Sequence, residues 1–258
     1  MTKYPINKDL SSRQGNENKR KLLYEELTEN SEHNLRDILE PAELEDAEII
    51  FNSKKSQIVS TLNHSSKIFN SEYLFKVNKE YNYSKNYILF FLTRRKYKEL
   101  IDLKRTGDYI PYVSKAKFLD IPIPKLKSSK FLNIRSTSLD AILNELLFAE
   151  QNKQYFSICI LSGTILEFIL LGLLEELQLP EIIMKKFNQL EGLKTLVKHY
   201  KLIDEESSKI FEPIFTQIQN TRNLIHAHKN YNEKIEKIES YAEDSINNIE
   251  KLILYFGL

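Results

Sequence analysis

The feature that most constrains this fold is a nearly unbroken apolar segment near the middle of the chain. The most apolar run is Ile158 to Leu174, and helical spacing around it extends over about Tyr155 to Leu177. Small or polar residues interrupt the run at Ser162, Gly163, Thr164 and Glu167. A buried helix therefore fits it better than a membrane span. A helix that is apolar on almost all sides is central in a bundle, and Ser162-Gly163 offers a place where another helix can come close.

Helical spacing continues on both sides of this segment and predicts an all-α region over residues 137–258. The closing helix is predicted from about Tyr231 to Tyr255. Residues 128–136 are rich in Lys, Ser and Asn, and we expect them to be a linker.

The helix before the closing one leads into a short polar and basic stretch, Asn220 to His228. Asp204 or Ser207 can begin this helix. Pro213 then falls in its first turns, where proline is tolerated. The stretch therefore lies between two helices whose other faces are apolar.

Two residue types in this stretch are those that metal-free RNA cleavage needs. A histidine moves protons near neutral pH, and the planar guanidinium of Arg222 matches phosphate oxygens. Asn223 can orient either group by hydrogen bonding. On an ideal helix His226 neighbours Arg222, whereas His228 shares that face only if the helix ends or loosens before it. The alternative is simple capping, because Arg and His favour the C-terminal end of a helix.

Arg222 and His228 are separated by five residues, with Asn223 in the second position. This arrangement resembles the Arg-x(4–6)-His motif of HEPN domains, small all-α bundles of which many cleave RNA. The resemblance implies catalysis without a metal or cofactor, at a site formed where two copies of the bundle meet. The segment Ser162–Glu167 also resembles the second helix of these bundles, where Glu167 would brace Arg222. Alternatively, Glu167 is a structural glutamate paired with any cation.

The first half of the chain has a different pattern and predicts a mixed α/β domain over residues 21–127. Residues 1–20 are polar and are expected to be a flexible arm. Lys21 to Leu39 has helical spacing with a break at Asn30-Ser31. Later segments are predicted as strands or a helix; the strands are Ile49–Phe51, Ile58–Leu62 and Tyr73–Val77, and the helix is Tyr87–Leu103.

A second resemblance covers roughly Ala47 to Leu126. The order of strand, helix, glycine turn and closing strand is similar to part of a target-recognition domain from Type I restriction–modification specificity subunits. The residues that fit the closing pattern are Ser114, Phe118, Leu119, Ile121, Ile123 and Pro124. Such a domain is normally longer and occurs in two copies, whereas this chain has room for one shortened copy. The resemblance implies DNA or a restriction–modification complex as further partners.

The charge distribution adds an independent argument for a polyanionic partner. Residues 51–130 contain 17 Lys/Arg against 6 Asp/Glu, although the whole chain has a net charge of only +1. The alternative is a solvated face neutralised by the acidic segments. Basic residues lie beside tyrosines 97, 109 and 112, and the candidates for nucleic-acid binding are Arg94, Arg95, Lys96, Lys98, Lys104, Arg105, Lys115 and Lys117.

Together these patterns predict an α+β protein, with an N-terminal recognition-like domain and a C-terminal HEPN-type bundle. The one cysteine, Cys159, excludes an internal disulfide, and no Cys/His pair has the spacing of a zinc site. A polar N-terminus without an apolar leader segment favours a cytoplasmic protein without a membrane span. The predicted function is a homodimeric, metal-independent endoribonuclease of a phage-defence or toxin-like system. The alternative is a non-catalytic dimeric DNA-binding protein.

Overall fold

A computed structural model describes residues 8–59, 71–81, 83–107, 109–125, 130–176, 196–198, 200–201, 204–225 and 235–256. The chain divides into two compact units, unit 1 over Met1–Leu126 and unit 2 over Lys127–Leu258. Unit 1 combines helices with small sheets, and the described residues of unit 2 are helical. The fold is therefore α+β, as predicted.

The described part of unit 1 contains one long helix, several short helices and two small antiparallel sheets. In chain order its elements are α1 (Lys8–Glu29), β1 (Ser31–Asn34), α2 (Leu35–Ile38), β2 (Leu39–Pro41), β3 (Ile49–Asn52), β4 (Gln57–Val59), β5 (Glu72–Val77), α3 (Lys85–Leu92), α4 (Arg95–Leu103), α5 (Lys115–Leu119) and β6 (Pro122–Pro124). The larger sheet has the order β2-β5-β3-β4, and β1 pairs with β6 in the smaller one. The predicted strands β3 and β5 are confirmed, and Gln57–Val59 is the described part of the strand expected over Ile58–Leu62.

An aromatic cluster forms the core beside the larger sheet. Phe118 of α5 stacks on Phe51 of β3 and on Phe75 of β5, with ring centroids 4.0 and 5.5 Å apart. All three side chains are fully buried. The short helix α5 is therefore packed through Phe118 on the two central strands.

The N-terminal segment differs from its prediction. Residues 8–20, expected in a flexible arm, belong to helix α1. The break predicted at Asn30-Ser31 is present, and a strand that was not predicted follows it before the short helix α2. The backbone N–H of Lys125 donates to the Asn30 carbonyl at 2.8 Å, and β1 pairs with β6. This partner comes from residues about ninety positions away, which local helical spacing does not reveal.

The single helix expected over Tyr87–Leu103 is two helices, because Arg94 adopts an extended backbone (φ −72°, ψ 153°). The Arg94 guanidinium donates to the Phe90 carbonyl at 2.9 Å and to the Thr93 hydroxyl at 2.9 Å. The side chain thereby bonds a carbonyl of the last turn of α3 that the helix end leaves open.

The closing strand is shorter than the pattern from Ser114 to Pro124 that indicated it. Ser114 instead caps α5, accepting a bond from the Lys117 N–H at 3.3 Å. The chain becomes extended only at β6, where Ile123 is fully buried. A serine cap outweighs the local strand pattern here.

The described part of unit 2 is a helical bundle around the apolar segment. Its elements are α6 (Lys130–Gln151), α7 (Tyr155–Glu176), α8 (Glu205–Arg222), a 3₁₀ turn (Asn223–Ile225) and α9 (Ile235–Phe256). Helix α7 contacts α6, α8 and α9, so its central position is confirmed. Its fully buried apolar residues are Ile165, Leu166, Ile169 and Leu170.

Within the described ranges, one segment, Tyr155–Leu173, is long and apolar enough to cross a membrane by length and composition. Half of this segment is buried inside the bundle. Contact with three other helices is the arrangement of a core helix, and the core helix of a soluble protein passes the same composition test.

One boundary and the position of one proline in unit 2 differ from the predictions. Helix α6 begins at Lys130, inside the stretch expected as a linker. Asp204 caps α8 by accepting a bond from the Ser207 N–H at 3.0 Å, which confirms one of the two predicted starts. Pro213 therefore lies in the middle of α8 rather than in its first turns. Residues 184–187 and 190–200, which belong to the region predicted to be all-α, fall mostly outside the described residues.

Candidate functional site

Arg222 is the last residue of α8, and its side chain reaches helix α7. The guanidinium forms an ion pair with the Glu167 carboxylate at 3.0 Å. Both side chains are partly exposed, Arg222 by 31% and Glu167 by 22%. The Arg222–Glu167 pair is therefore present, as both a bracing and a structural role of Glu167 allow, and the cation is accessible to a ligand.

The Arg222 side chain packs directly against Gly163 of α7. A Cβ built on Gly163 would stand 2.5 Å from Arg222 Cδ, 2.8 Å from Cγ and 2.9 Å from Cβ. Real Cβ contacts are longer, so only glycine leaves room for the arginine stem at this helix separation. The close approach predicted at the small-residue patch is confirmed.

Gly163 and Glu167 are four residues apart on α7 and therefore lie on one face of that helix. The stem of Arg222 crosses the first of these positions, and its head group meets the second. An arginine side chain whose stem and head group are both already held in place loses less rotamer freedom on binding an anion than a mobile surface arginine does. The arrangement orients a cation without enclosing it.

Polar contacts on the other side of α8 fix its rotation. Thr221 shares a hydrogen bond with the buried hydroxyl of Ser245 in α9 at 3.1 Å. One turn earlier, the Asn248 amide donates to the side chain of Gln217 at 3.0 Å. Consecutive helical residues point about 100° apart, so holding Thr221 toward α9 turns Arg222 toward α7. Sequence reasoning missed this contact, because serine and threonine at helix positions carry no distinctive pattern.

The helix ends where the motif begins. The Asn223 N–H donates to the Gln219 carbonyl as the C-cap, and a 3₁₀ turn replaces the α-helix over Asn223–Ile225. The α-helix therefore ends before either histidine, which is the condition that the sequence analysis set for His228 to share a face with Arg222. Both candidate catalytic histidines, His226 and His228, lie outside the described residues.

A groove of about 850 Å³ lies along α8 and reaches Tyr241 of α9. Its lining includes Gln217, Asn220 and Thr221 but neither Arg222 nor Glu167. This groove is therefore not where the cation of the motif lies, and we base the candidate site on the Arg222–Glu167 pair.

The eight basic residues predicted to bind nucleic acid do not form one surface. Arg94 and Lys104 are buried, with exposures of 4% and 6%. The Arg94 guanidinium bonds to the C-terminal end of α3, as described above. The Lys104 ammonium donates to the Asp120 carbonyl at 3.1 Å and pairs with its carboxylate at 3.2 Å. Burial lowers the pKa of Lys104, and the Asp120 carboxylate opposes that shift.

The other six residues have varied surroundings. Lys96 pairs with Glu26 of α1, and Lys115 lies over the Phe75 ring at 5.5 Å. The Arg105 guanidinium donates to the carbonyls of Lys54 at 3.0 Å and Pro111 at 3.3 Å. Lys117 is partly buried, whereas Arg95 and Lys98 are exposed on α4. Spacing alone did not distinguish the structural cations from the exposed ones.

The three tyrosines of the basic block separate in the same way. Tyr97 is buried, with 1% exposure. Tyr109 is fully exposed and Tyr112 is 43% exposed. Two of the three rings are therefore available to solvent.

No group of three or more His, Cys, Asp or Glu residues in the described part of the chain is arranged to hold a metal ion. Cys159 is buried in α7, and desolvation raises its pKa to about 11. A thiol in this environment is inert at neutral pH.

No protein-family model matches the chain, and no curated protein or solved structure matches it significantly.

Proposed function

We propose that the protein is a metal-independent endoribonuclease of the HEPN type, with unit 1 as a nucleic-acid recognition module. The observation that carries this proposal is the Arg222 guanidinium held by Glu167 and Gly163 at the helix end that leads to two histidines. Such a site suits a phosphate ester, because a fixed cation can bind its oxygens while an imidazole transfers a proton. The place for this activity is the cytoplasm, within a phage-defence or toxin-like system.

The reaction needs only the RNA and the protein. A histidine, with His228 as the first candidate and His226 as the second, removes the proton of a ribose 2′-hydroxyl. The 2′ oxygen bonds to the adjacent phosphorus, the bond from phosphorus to the 5′ oxygen breaks, and that oxygen takes up a proton. Arg222 stabilises the extra negative charge on the phosphoryl oxygens. The products are a 2′,3′-cyclic phosphate and a 5′-hydroxyl.

Glu167 and Asn223 have supporting roles in this proposal. Glu167 positions the Arg222 guanidinium, and Asn223 orients the imidazole or the phosphate by hydrogen bonding. Glu167→Gln keeps the shape of the side chain but removes its charge. We expect this variant to lower the RNA cleavage rate without abolishing it.

The direct test is incubation of labelled single-stranded RNA with the purified full-length protein in EDTA. We expect cleavage by the natural chain, none by Arg222→Ala and none by His228→Ala, with circular dichroism as the check that each variant folds. A substrate with a 2′-deoxyribose at the cleaved position should resist. Absence of cleavage, or cleavage unchanged in Arg222→Ala, contradicts the proposal.

The HEPN resemblance also implies a homodimer in which each site uses both copies. Light scattering measures the mass in solution, and a monomer at catalytic concentrations contradicts this part of the proposal. If Arg222 and His228 of different copies meet in one site, mixing the two inactive alanine variants should restore part of the activity.

The second candidate is a non-catalytic dimer that grips duplex DNA. The exposed cations Arg95 and Lys98 fit it, but the buried Arg94 and Lys104 weaken the uniform basic surface on which it was based. Salt-dependent, sequence-selective binding to duplex DNA, with RNA left intact, favours this candidate.

A further inference from the structure

We propose that the loop Thr106–Tyr112 of unit 1, termed here the tyrosine loop, is a stacking site for bases of single-stranded RNA. The proposal rests on the nucleic-acid role proposed above and names the ligand form that unit 1 would take. Tyr109, at the tip, is fully exposed, and beside it Ile110 and Tyr112 are 64% and 43% exposed. Three large apolar side chains facing solvent in one short loop are unusual for a surface without a ligand.

The base of the tyrosine loop is closed by backbone hydrogen bonds. Thr106 and Tyr112 exchange two N–H to carbonyl bonds, each of 2.8 Å. Gly107 has φ +107°, and a Cβ at that position would lie 3.0 Å from the Ile110 carbonyl oxygen. The turn therefore requires glycine, and it holds the exposed rings on a closed hairpin rather than on a frayed end.

The tyrosine loop is also joined to the body of unit 1. The Val113 N–H donates to the Ser53 carbonyl at 3.0 Å, and the Val113 side chain is fully buried. The Arg105 guanidinium bonds to the carbonyls of Lys54 and Pro111 and so ties the hairpin to the turn between β3 and β4. Arg105 is therefore a positioning residue rather than a phosphate contact.

The charges around the hairpin favour a polyanion. The adjoining turn carries the exposed Lys54 and Lys55, and Lys115 follows the loop on α5. Two acidic residues offset part of this charge: Asp102, which lies 3.9 Å from the Arg105 guanidinium, and Asp108, a loop residue outside the described ranges. Exposed aromatic rings flanked by lysines are the arrangement that binds single strands, because bases stack on the rings while the lysines neutralise phosphates.

A single strand fits this hairpin better than a duplex does. The bases of a duplex are stacked on each other and present only their edges, so an isolated ring has no base face to contact. An unpaired base offers a free face to Tyr109, and Tyr112 can take a neighbouring base or the ribose. We therefore expect weak dependence on sequence and a strong preference for unpaired nucleotides.

The test uses the absence of tryptophan from the chain. Tyr109→Trp introduces a single fluorophore at the loop tip, and Phe148→Trp introduces one at a half-exposed position of α6 as the matched control. The probe is a 2′-O-methyl RNA oligonucleotide without self-complementarity, which cannot be cleaved through a 2′-hydroxyl. We expect it to quench the emission of Tyr109→Trp and to leave that of Phe148→Trp unchanged.

Anisotropy of the same labelled oligonucleotide measures affinity. Tyr109→Ala should weaken binding about tenfold, whereas Tyr109→Phe, which keeps the ring, should bind as the natural chain does. Quenching and anisotropy are both measured with an RNA that cannot be cleaved, so failure of the nuclease proposal is distinguishable from failure of this one. Undetectable binding, equal affinity in Tyr109→Ala, or tighter binding to the corresponding duplex overturns the proposal, and the tyrosine loop would then be a surface for another kind of partner.

Discussion

Replacing Gly163 with alanine tests whether this residue determines where Arg222 lies. Alanine in a helix interior is normally favoured over glycine by about 1 kcal/mol. Here the added Cβ would lie 2.5 to 2.9 Å from three carbons of the arginine stem. One of them is Arg222 Cβ, so rotating the side chain does not fully relieve the contact. Overpacking costs about 1–3 kcal/mol, and loss of the partly exposed ion pair adds up to about 1 kcal/mol. We therefore expect Gly163→Ala to destabilise unit 2 by about 1–2 kcal/mol.

The assay uses Cys159, the one cysteine, as a reporter of unit 2. Its thiol is buried in α7, so it reacts with a disulfide reagent only when the helix opens. A loss of about 1.4 kcal/mol increases the labelling rate about tenfold when opening is at equilibrium. Gly15→Ala is the matched control, because a Cβ at Gly15 meets no atom within 4 Å. That variant should leave Cys159 labelling unchanged.

A double variant identifies the atoms responsible. In an Arg222→Ala background the contacts with Cγ and Cδ are absent, and the effect of Gly163→Ala should shrink by about 1 kcal/mol or more. Slower labelling in Gly163→Ala, or an effect that is the same with and without the arginine stem, would refute the conclusion that Gly163 makes room for the Arg222 side chain.

Three further predictions concern stability. Asp204→Ala should destabilise α8 by about 1 kcal/mol in urea unfolding, and Asp204→Asn should retain most of the cap. The Ser207 N–H lowers the pKa of Asp204. The stabilisation by the Asp204 carboxylate should therefore be present at neutral pH and disappear as pH falls through that lowered pKa. Thr221→Val leaves the buried Ser245 hydroxyl with a poorer partner and should cost about 1–2 kcal/mol, whereas adding Ser245→Ala should cost little more in the same unfolding measurement. Burial lowers the pKa of Lys104, so the unfolded chain keeps the Lys104 proton to a higher pH than the folded chain does. The free energy of unfolding of the natural chain, relative to that of Lys104→Met, should therefore rise as pH approaches about 10. Unfolding measured from neutral pH to about pH 10 checks this.

Long-range pairing explains most of what the sequence did not predict in unit 1. The sequence predicted β3 and β5 because each is a short hydrophobic run with turn-forming residues within a few positions of it. Strand β1, Ser31–Asn34, has no apolar alternation and exists because β6 pairs with it from the far end of the unit. Similarly, Arg94 was assigned to a basic surface, although its buried guanidinium satisfies a helix end. Spacing reports which face a residue can occupy, but not whether a second segment covers that face.

The candidate site was more predictable because its parts carry local constraints. An acid on an otherwise apolar helix needs a cation, since an unpaired buried carboxylate costs several kcal/mol. The cation must come from a neighbouring helix, and its stem needs room to cross the apolar face. Gly163, one turn before Glu167, supplies that room, and Arg222 occupies it. A small residue four positions before a lone acid therefore predicts both the helix that approaches and the charge that it brings. By the same reasoning, the glycine, the acid and the arginine should depend on one another in any variant, because removing one leaves a clash, an unpaired charge or an empty groove.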